Sequence, residues 1–296
     1  LKKCLSHIHK SERKELMKKL ELRRKNIKRT ANLLDISRSS YYRYKNKKIS
    51  KRSLEEVVLK EEIREIWLLN EKKYGSPKIQ GELRKKGIRV SERRIQKLMK
   101  EMGIKSVVTQ KYKYKSSMSS EQEGLENKLN RDFKSSKSYE KIVGDITYIR
   151  TKDKGWCYLA SYMDLYNNEI LSYEFGEKME EELVLKSLFK LPLKKLKGSI
   201  IHTDRGSQYT AKNYRKKLLE YGIIESYSRR GNPYDNACIE SFHSVLKKEL
   251  IYPQELKSYS ELKRILFEYI EGFYNTRRTQ KRLGYLSPKE YLKKIS

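Results

Sequence analysis

From Lys141 onward the chain commits to one succession of elements. Lys141–Ile149 (KIVGDITYI), Trp156–Leu165 (WCYLASYMDL) and Glu169–Phe175 are runs rich in β-branched and aromatic residues, as strands are. Loops at Lys152–Gly155 and Tyr166–Asn168 join them into a three-stranded meander. Glu177–Phe189 then carries a helical pattern, and Ser199–Thr203 (SIIHT) is a short buried strand ending at Asp204. Ala211–Tyr221 reads as a helix, Ile223–Tyr227 as a strand, and Asp235–Leu250 and Ser258–Tyr274 as helices. The order β-β-β-α-β-α-β-α predicts a mixed α/β domain, with a five-stranded sheet and flanking helices.

The first half has a different texture. Residues 11–29 read as a charged helix with Leu16, Leu20 and Ile27 as sparse apolar marks. Thr30–Tyr44 (TANLLDISRSSYYRY) has a helix, a turn near Asp35 and a second helix begun by Ser37, a small helix-turn-helix pattern. Leu54–Leu69 places Val57, Ile63, Ile66 and Leu69 near helical spacing. Tyr74-Gly75 breaks that helix, and Ser76-Pro77 offers an N-cap followed by proline at the first helical position. Ile79, Leu83 and Ile88 continue the apolar pattern, and Ser91 caps a third helix with Ile95, Leu98 and Met99 inward. Its outer face carries Arg93, Arg94 and Lys97, as a helix that enters the major groove of DNA requires. Residues 107–139, rich in Ser, Lys, Gln and Glu, read as an at least partly flexible linker. The expected division is a helical region over 1–50, a helix-turn-helix domain over 53–106, this linker, a catalytic core over 140–250 and a basic helical region over 251–296.

Charge separates the halves. The 296 residues hold 69 Lys and Arg against 38 Asp and Glu, a net +31. Residues 1–140 hold 40 against 18, net +22, and residues 141–296 hold 29 against 20, net +9. Such an excess repels itself unless a polyanion is near, and nucleic acid is the default partner. A mean hydropathy of −0.88 and the lack of any apolar run of about 18 residues argue against a membrane protein. The Lys2-Lys3 start has no apolar stretch of a signal peptide, and Cys4, Cys157 and Cys238 are too scattered for a disulfide framework. The expectation is a cytoplasmic protein. Leu1 in place of Met suggests a start inside a longer product, or an unusual start.

Three acidic residues are placed unusually for so basic a chain. Asp145 lies inside the apolar strand Ile142–Ile149, and Asp204 directly follows the strand containing Ile200 and Ile201. Glu240 lies mid-helix between Ile239 and Phe242, with 35 residues separating it from Asp204. Burying carboxylates costs free energy unless a cation compensates. Hard oxygen ligands of this kind suit Mg²⁺ or Mn²⁺, and two such ions allow one site to process a phosphodiester. Asp164 and Asp235 fit humbler roles, in the turn between the second and third strands and as cap of the helix bearing Glu240. His202 lies two residues before Asp204 and His243 one turn after Glu240. Either could shuttle a proton or orient a phosphate, but such histidines are more often packed or at the surface, and both are left out of the catalytic set.

The motifs themselves carry a resemblance. Gly144-Asp145-Ile146-Thr147-Tyr148, His202-Thr203-Asp204-Arg205-Gly206-Ser207-Gln208-Tyr209 and Gly231-Asn232-Pro233-Tyr234-Asp235-Asn236-Ala237-Cys238-Ile239-Glu240-Ser241-Phe242 together resemble the integrase-core transposases of bacterial insertion sequences, nearest the orfB-type product of the insertion-sequence-three family. Arg38-Ser39-Ser40-Tyr41-Tyr42, the stretch from Tyr74-Gly75 to Lys100-Glu101, and Tyr274-Asn275, Arg277, Leu283 and Leu286-Ser287-Pro288 extend the likeness to roughly residues 30–295. In that family the large product is often made by frameshifting, with which a start at Leu1 is compatible.

The resemblance implies an RNase H-like core with N-terminal all-α helix-turn-helix modules, and a D-D-35-E triad at Asp145, Asp204 and Glu240 holding two Mg²⁺ or Mn²⁺ ions. It implies a bacterial, nucleoid-associated DNA transposase that binds terminal inverted repeats, frees a 3′-OH by hydrolysis and joins it to another phosphodiester. The family's basic residue seven positions after the glutamate falls on Lys247. Arg93, Arg94 and Lys97 are the candidates for repeat recognition, and Arg277, Arg278, Lys281 and Arg282 for phosphate contacts. Synapsis of two element ends implies at least a dimer on double-stranded DNA. No zinc is expected, since Cys4, His7 and His9 lack a fourth ligand, and no nucleotide cofactor, since no Walker-type loop occurs. The rival readings are a non-catalytic DNA-binding regulator and an RNase H-type nuclease.

Overall fold

The computed structural model describes residues 27–45, 51–108 and 125–295, with Glu12 and Glu15 as isolated positions. Most of the charged helix read over 11–29, the Cys4/His7/His9 group and the middle of the linker fall outside these residues. The chain divides into two compact units, residues 1–61 and 62–296.

In the first unit, helices α1 (Ile27–Leu33) and α2 (Arg38–Lys45) close on Ala31, Leu34 and Tyr41. Asp35 takes a left-handed φ of 53°, which short polar side chains tolerate, and so makes the turn. Ser37 Oγ accepts from the Ser40 amide at 3.1 Å, an N-cap where the sequence places one.

Helix α3 (Lys51–Leu69) begins in the first unit and ends in the second. Ile63 and Ile66 are buried, but Val57 and Leu69, expected on the inner face, are exposed at 58% and 62%. Leu59 takes the buried position instead. Helices α4 (Ser76–Lys85) and α5 (Glu92–Glu101) bury Ile79, Leu83, Ile95, Leu98 and Met99. Ser91 caps α5 through the Arg94 amide. Ser76 does not cap α4: extended Gly75 holds the N-cap position, and the Ser76 hydroxyl donates to Glu92 Oε1 at 3.1 Å, pinning α4 to α5.

The five strands are β1 (Lys141–Arg150), β2 (Trp156–Asp164), β3 (Ile170–Gly176), β4 (Ile200–Thr203) and β5 (Ile224–Tyr227), in the sheet order β3-β2-β1-β4-β5. The first three form an antiparallel meander; β4 and β5 run parallel to β1. Helices α6 (Glu181–Phe189), α7 (Ser207–Thr210) and α8 (Lys212–Glu220) contribute to one core with Ile142, Ala160, Tyr162 and Ile201. Helix α9 (Ala237–Leu246) packs on β1 and continues as a π-helical turn over Lys247–Ile251. Helix α10 (Tyr259–Phe267) likewise runs into a π-helical stretch, Glu268–Tyr274. A last helix, α11 (Pro288–Ile295), begins at Ser287, whose Oγ accepts from the Glu290 amide while Glu290 Oε2 accepts from the Ser287 amide.

The linker reading needs correction at its C-terminal end. Leu125 belongs to the sheet core and Leu129 is buried. The Tyr227 amide donates to Glu126 O, the Leu129 amide to Ser226 Oγ, and Arg205 to Leu125 O. Residues 125–129 therefore cover β5, the outer strand of the sheet, whose free backbone groups would otherwise be exposed.

A buried polar network ties α4 to the end of the α9 segment. Glu249 receives two bonds from Arg278, at 2.9 and 2.8 Å, one from the Tyr269 hydroxyl at 2.8 Å and one from Lys78 at 3.3 Å. Burial alone would raise the Glu249 pKa, but the Arg278 guanidinium reverses this and holds it at about 2. Tyr74 adds a second tie, donating to Arg277 O and accepting from the Thr279 amide. Removing one partner of such a pair leaves a buried charge. Arg278→Met should destabilise the protein by about 3 kcal/mol in urea denaturation, and Arg278→Met with Glu249→Leu should recover most of that loss.

Candidate functional site

The site lies where β1 outruns β4. Pairing between them stops at Val143 with His202, so Asp145 stands just beyond the last paired position, and Asp204 leaves β4 after Thr203. Backbone approach there is close. A Cβ on Gly144 would fall 2.6 Å from the Tyr162 ring and 3.2 Å from Thr203 Cγ2, so glycine is required before Asp145. Gly206 similarly approaches Asp204: its amide donates to Asp204 Oδ1 at 2.9 Å, and a Cβ would crowd that oxygen.

Helix α9 brings the third carboxylate. Its position on β1 is fixed by Asn236, whose Nδ2 donates to Gly144 O at 3.1 Å. His243, one turn after Glu240, bridges Asp145 Oδ2 at 3.2 Å through Nδ1 and the buried Ser161 Oγ at 2.7 Å through Nε2. Ser161 lies directly across from Asp145 on β2. Sequence reasoning set His243 aside as ordinary; its role depends on Ser161, far away in the chain.

The three carboxylates act on one another electrostatically. Desolvation, then the charge of Asp145, raise Asp204 to about 6. Desolvation, then Asp145 and Asp204, raise Glu240 to about 7. Asp204 is exposed at its surface, while the protein around its carboxyl removes part of its hydration. The buried Tyr209 hydroxyl has no hydrogen-bond partner among the described residues and lies within the field of Asp145 and Asp204. Among the described residues, no three acidic, histidine or cysteine side chains already stand at the spacing of a closed metal site.

Residues 135–233 and 221–288 match family models described as integrase core domain, and residues 53–112 match an HTH-like domain. The transposase for insertion sequence element IS904 of Lactococcus lactis is 36% identical over 247 residues, covering 82% of this chain and 97% of that protein. Transposase InsF for insertion sequence IS3A of Escherichia coli is 32% identical over 273 residues, covering 90% and 93%. The chain belongs to the IS3 family of insertion-sequence transposases. Among solved structures, the HTLV-2 integrase catalytic core in complex with magnesium aligns over 52% of this chain and 96% of that one, at 16% identity and a TM-score of 0.38.

Asp164, Asp235 and His202, the other residues singled out in the transposase core, have structural partners. Asp164 accepts from the Tyr166 and Tyr139 amides, holding the turn after β2 and the entry to β1. Burial raises its pKa to about 6. Asp235 is fully buried but does not cap α9 with its side chain. It takes bonds from Arg229, Arg131 and Asn127, and Arg229 above all depresses its pKa. His202 bridges Ser226 and Ser228, and burial lowers its pKa to about 4.

The predicted DNA contacts divide. Arg93 and Lys97 are exposed on α5, Arg94 is half-buried there, and Lys97 lies 3.7 Å from Glu101. Lys247 places its ammonium 4.2 Å from the centre of the Tyr148 ring and is attracted by Asp145. Lys281 is exposed, and Arg277 lies over Phe273 with half its side chain open. Arg278 must be withdrawn: it is buried against Glu249 and serves the fold. Arg282 is also committed, donating to Asn168 Oδ1, Leu165 O and Phe133 O. Among the described residues no helix is long and apolar enough to cross a membrane.

The raised pKa values have a consequence for stability. With folded values near 6 and 7 above the ordinary carboxylate range, the folded state holds more protons than the unfolded one between about pH 4 and pH 7. This contribution is present at low pH and is lost as pH rises through the folded values. In chelator, Glu240→Gln should therefore melt higher than the unaltered protein at pH 8 and close to it at pH 5. Equal Tm differences at both pH values would contradict the repulsion.

Proposed function

We propose that Asp145, Asp204 and Glu240 form the catalytic triad of a DNA strand transferase, and that the HTH-like domain reads the element's terminal inverted repeats. One observation carries this reading: β1, the end of β4 and α9 bring three carboxylates close enough that Asp145 raises the pKa of Asp204, and both raise that of Glu240. Hard, mutually repelling oxygen donors are what a divalent cation neutralises, and the unpartnered Tyr209 hydroxyl beside them leaves a polar atom for a bound group or its water. Two Mg²⁺ or Mn²⁺ ions held by the triad would supply activation of the attacking oxygen and charge neutralisation on the leaving one.

The chain's own residues set the geometry. His243 and Ser161 fix the rotamer of Asp145, the Gly206 amide holds one oxygen of Asp204, and Asn236 anchors the helix that presents Glu240. Lys247 stands at the same edge, placed to meet a phosphate of the DNA end. Arg93, Arg94 and Lys97 on α5 present cations where a helix in the major groove would carry them. Arg277 and Lys281 remain as phosphate contacts, which position DNA without reading it. Water attack at the element's terminus, then attack by the freed 3′-OH, would proceed in the one site, with at least a dimer bridging two ends.

The test uses purified protein, labelled element ends, a target plasmid and Mg²⁺, beside Glu240→Gln. Joined products should form with the unaltered protein and fall by on the order of a hundredfold or more in the variant. Binding without joining by the unaltered protein would instead assign a regulator, and cleavage confined to RNA–DNA hybrids a nuclease.

A further inference from the structure

We infer that the exposed face of the β1–β2 hairpin is a stacking platform for unpaired DNA bases flanking the phosphodiester at the carboxylates; this rests on the reading of those carboxylates proposed above. Tyr148 pairs with Tyr158 and Arg150 with Trp156, and strand alternation puts all four on one face. Aromatic side chains at such positions ordinarily pack inward. Here Tyr148 is 52% exposed and Trp156 53%, and their rings meet edge to face at 5.3 Å.

The platform is preformed. Thr151 and Gly155 close the hairpin, the Lys152 amide donates to Lys257 O, and Asp153 Oδ1 accepts from the Tyr259 amide. Asp153 is thereby occupied, while exposed Arg150 and Lys152 add positive charge to the hairpin and Lys154 lies 3.4 Å from Glu177. Two rings set among cations are small for a protein interface, but they match the pairing of aromatic faces and basic groups that grips single-stranded nucleic acid. In a duplex, neighbouring base pairs already cover each base; an unpaired base has a face to offer.

Position supplies the link to the cleft. Tyr148 lies three residues from Asp145, about 10 Å along the strand. Asp145 faces the opposite side of the sheet, but β1 has no paired neighbour on its β4 side beyond Val143. A DNA strand crossing that edge meets both. Lys247 marks the crossing, with its ammonium over the Tyr148 ring and within the field of Asp145.

The chain has two tryptophans, so Trp67→Phe leaves Trp156 as the sole fluorophore of its kind. An oligothymidylate, or a duplex with a short unpaired extension, should quench Trp156 emission, and a blunt duplex should not. Trp156→Ala and Tyr148→Ala should each weaken binding of the extended duplex about tenfold and of the blunt duplex less than about twofold, while Trp156→Phe stays within about threefold. Absence of quenching by unpaired DNA, or equal weakening for both duplexes, would overturn the proposal. So would a change in sedimentation with DNA binding intact, which would assign the face to a second copy of the chain. Glu240→Gln separates this inference from the catalytic reading: stacking should persist in that variant while joining is lost. Joining at the normal rate would sink the triad and leave the quenching result standing.

Discussion

Like charge gathered at the edge of the sheet is the constraint to which the rest of the second unit answers. Asp145 raises the pKa of Asp204, and both raise that of Glu240. The contacts that hold these residues come from a backbone amide, a carboxamide, an imidazole and a hydroxyl. A guanidinium bonded to each carboxylate would be a firmer anchor, but it would depress the pKa values and occupy the oxygens. The fold does use such pairs, away from the cleft. Asp235 takes Arg229 and Arg131, and Glu249 takes Arg278. Their depressed pKa values show what direct pairing does to a carboxylate in this same molecule.

The helix that carries Glu240 is held at both ends as a result. Before it, Asp235 pins the Pro233–Asn236 turn to Arg229 and to residues 127–131, and Asn236 ties the turn to Gly144. Beyond it, the π-helical turn carries Glu249 into the network with Arg278, Tyr269 and Lys78. Lys78 lies on α4, so the HTH-like domain and the Glu240 helix share one buried polar cluster. Partly satisfied networks of this kind are costly, which makes a single arrangement of the two favourable and slippage between them expensive.

What the sequence made legible followed from local pattern. Strand periodicity located all five strands within a residue or two. Ser37 and Ser91 cap as expected because capping is settled within four residues. The failures involve partners that are distant in sequence. Arg278 and Lys281 look alike as letters, and only the approach of Glu249 makes one buried and the other exposed. Residues 125–129 are mostly polar, and two leucines with a few backbone bonds suffice to dock them, so composition read them as linker. His243 gains its place from Ser161 across the sheet. The π-helical turns were read as plain helix, because one extra residue per turn barely disturbs an apolar pattern.

The net charge of +31 needs the same distinction. Binding to DNA scales with the phosphates actually neutralised, not with formal charge. Arg278 is consumed by Glu249, Arg282 by backbone carbonyls and Asn168, and Arg205 by Leu125 O and Ser228 O. These cations hold the catalytic unit together and have little left for a polyanion. Arg93, by contrast, stands exposed on α5, and Arg150 and Lys152 on the hairpin, while exposed Lys97 and Lys154 make only solvent-open pairs with Glu101 and Glu177. The positive charge available to DNA is thus smaller than the composition suggests. Among the described residues, it includes the helix that would enter a groove, the hairpin at the edge of the sheet, and the exposed Lys281.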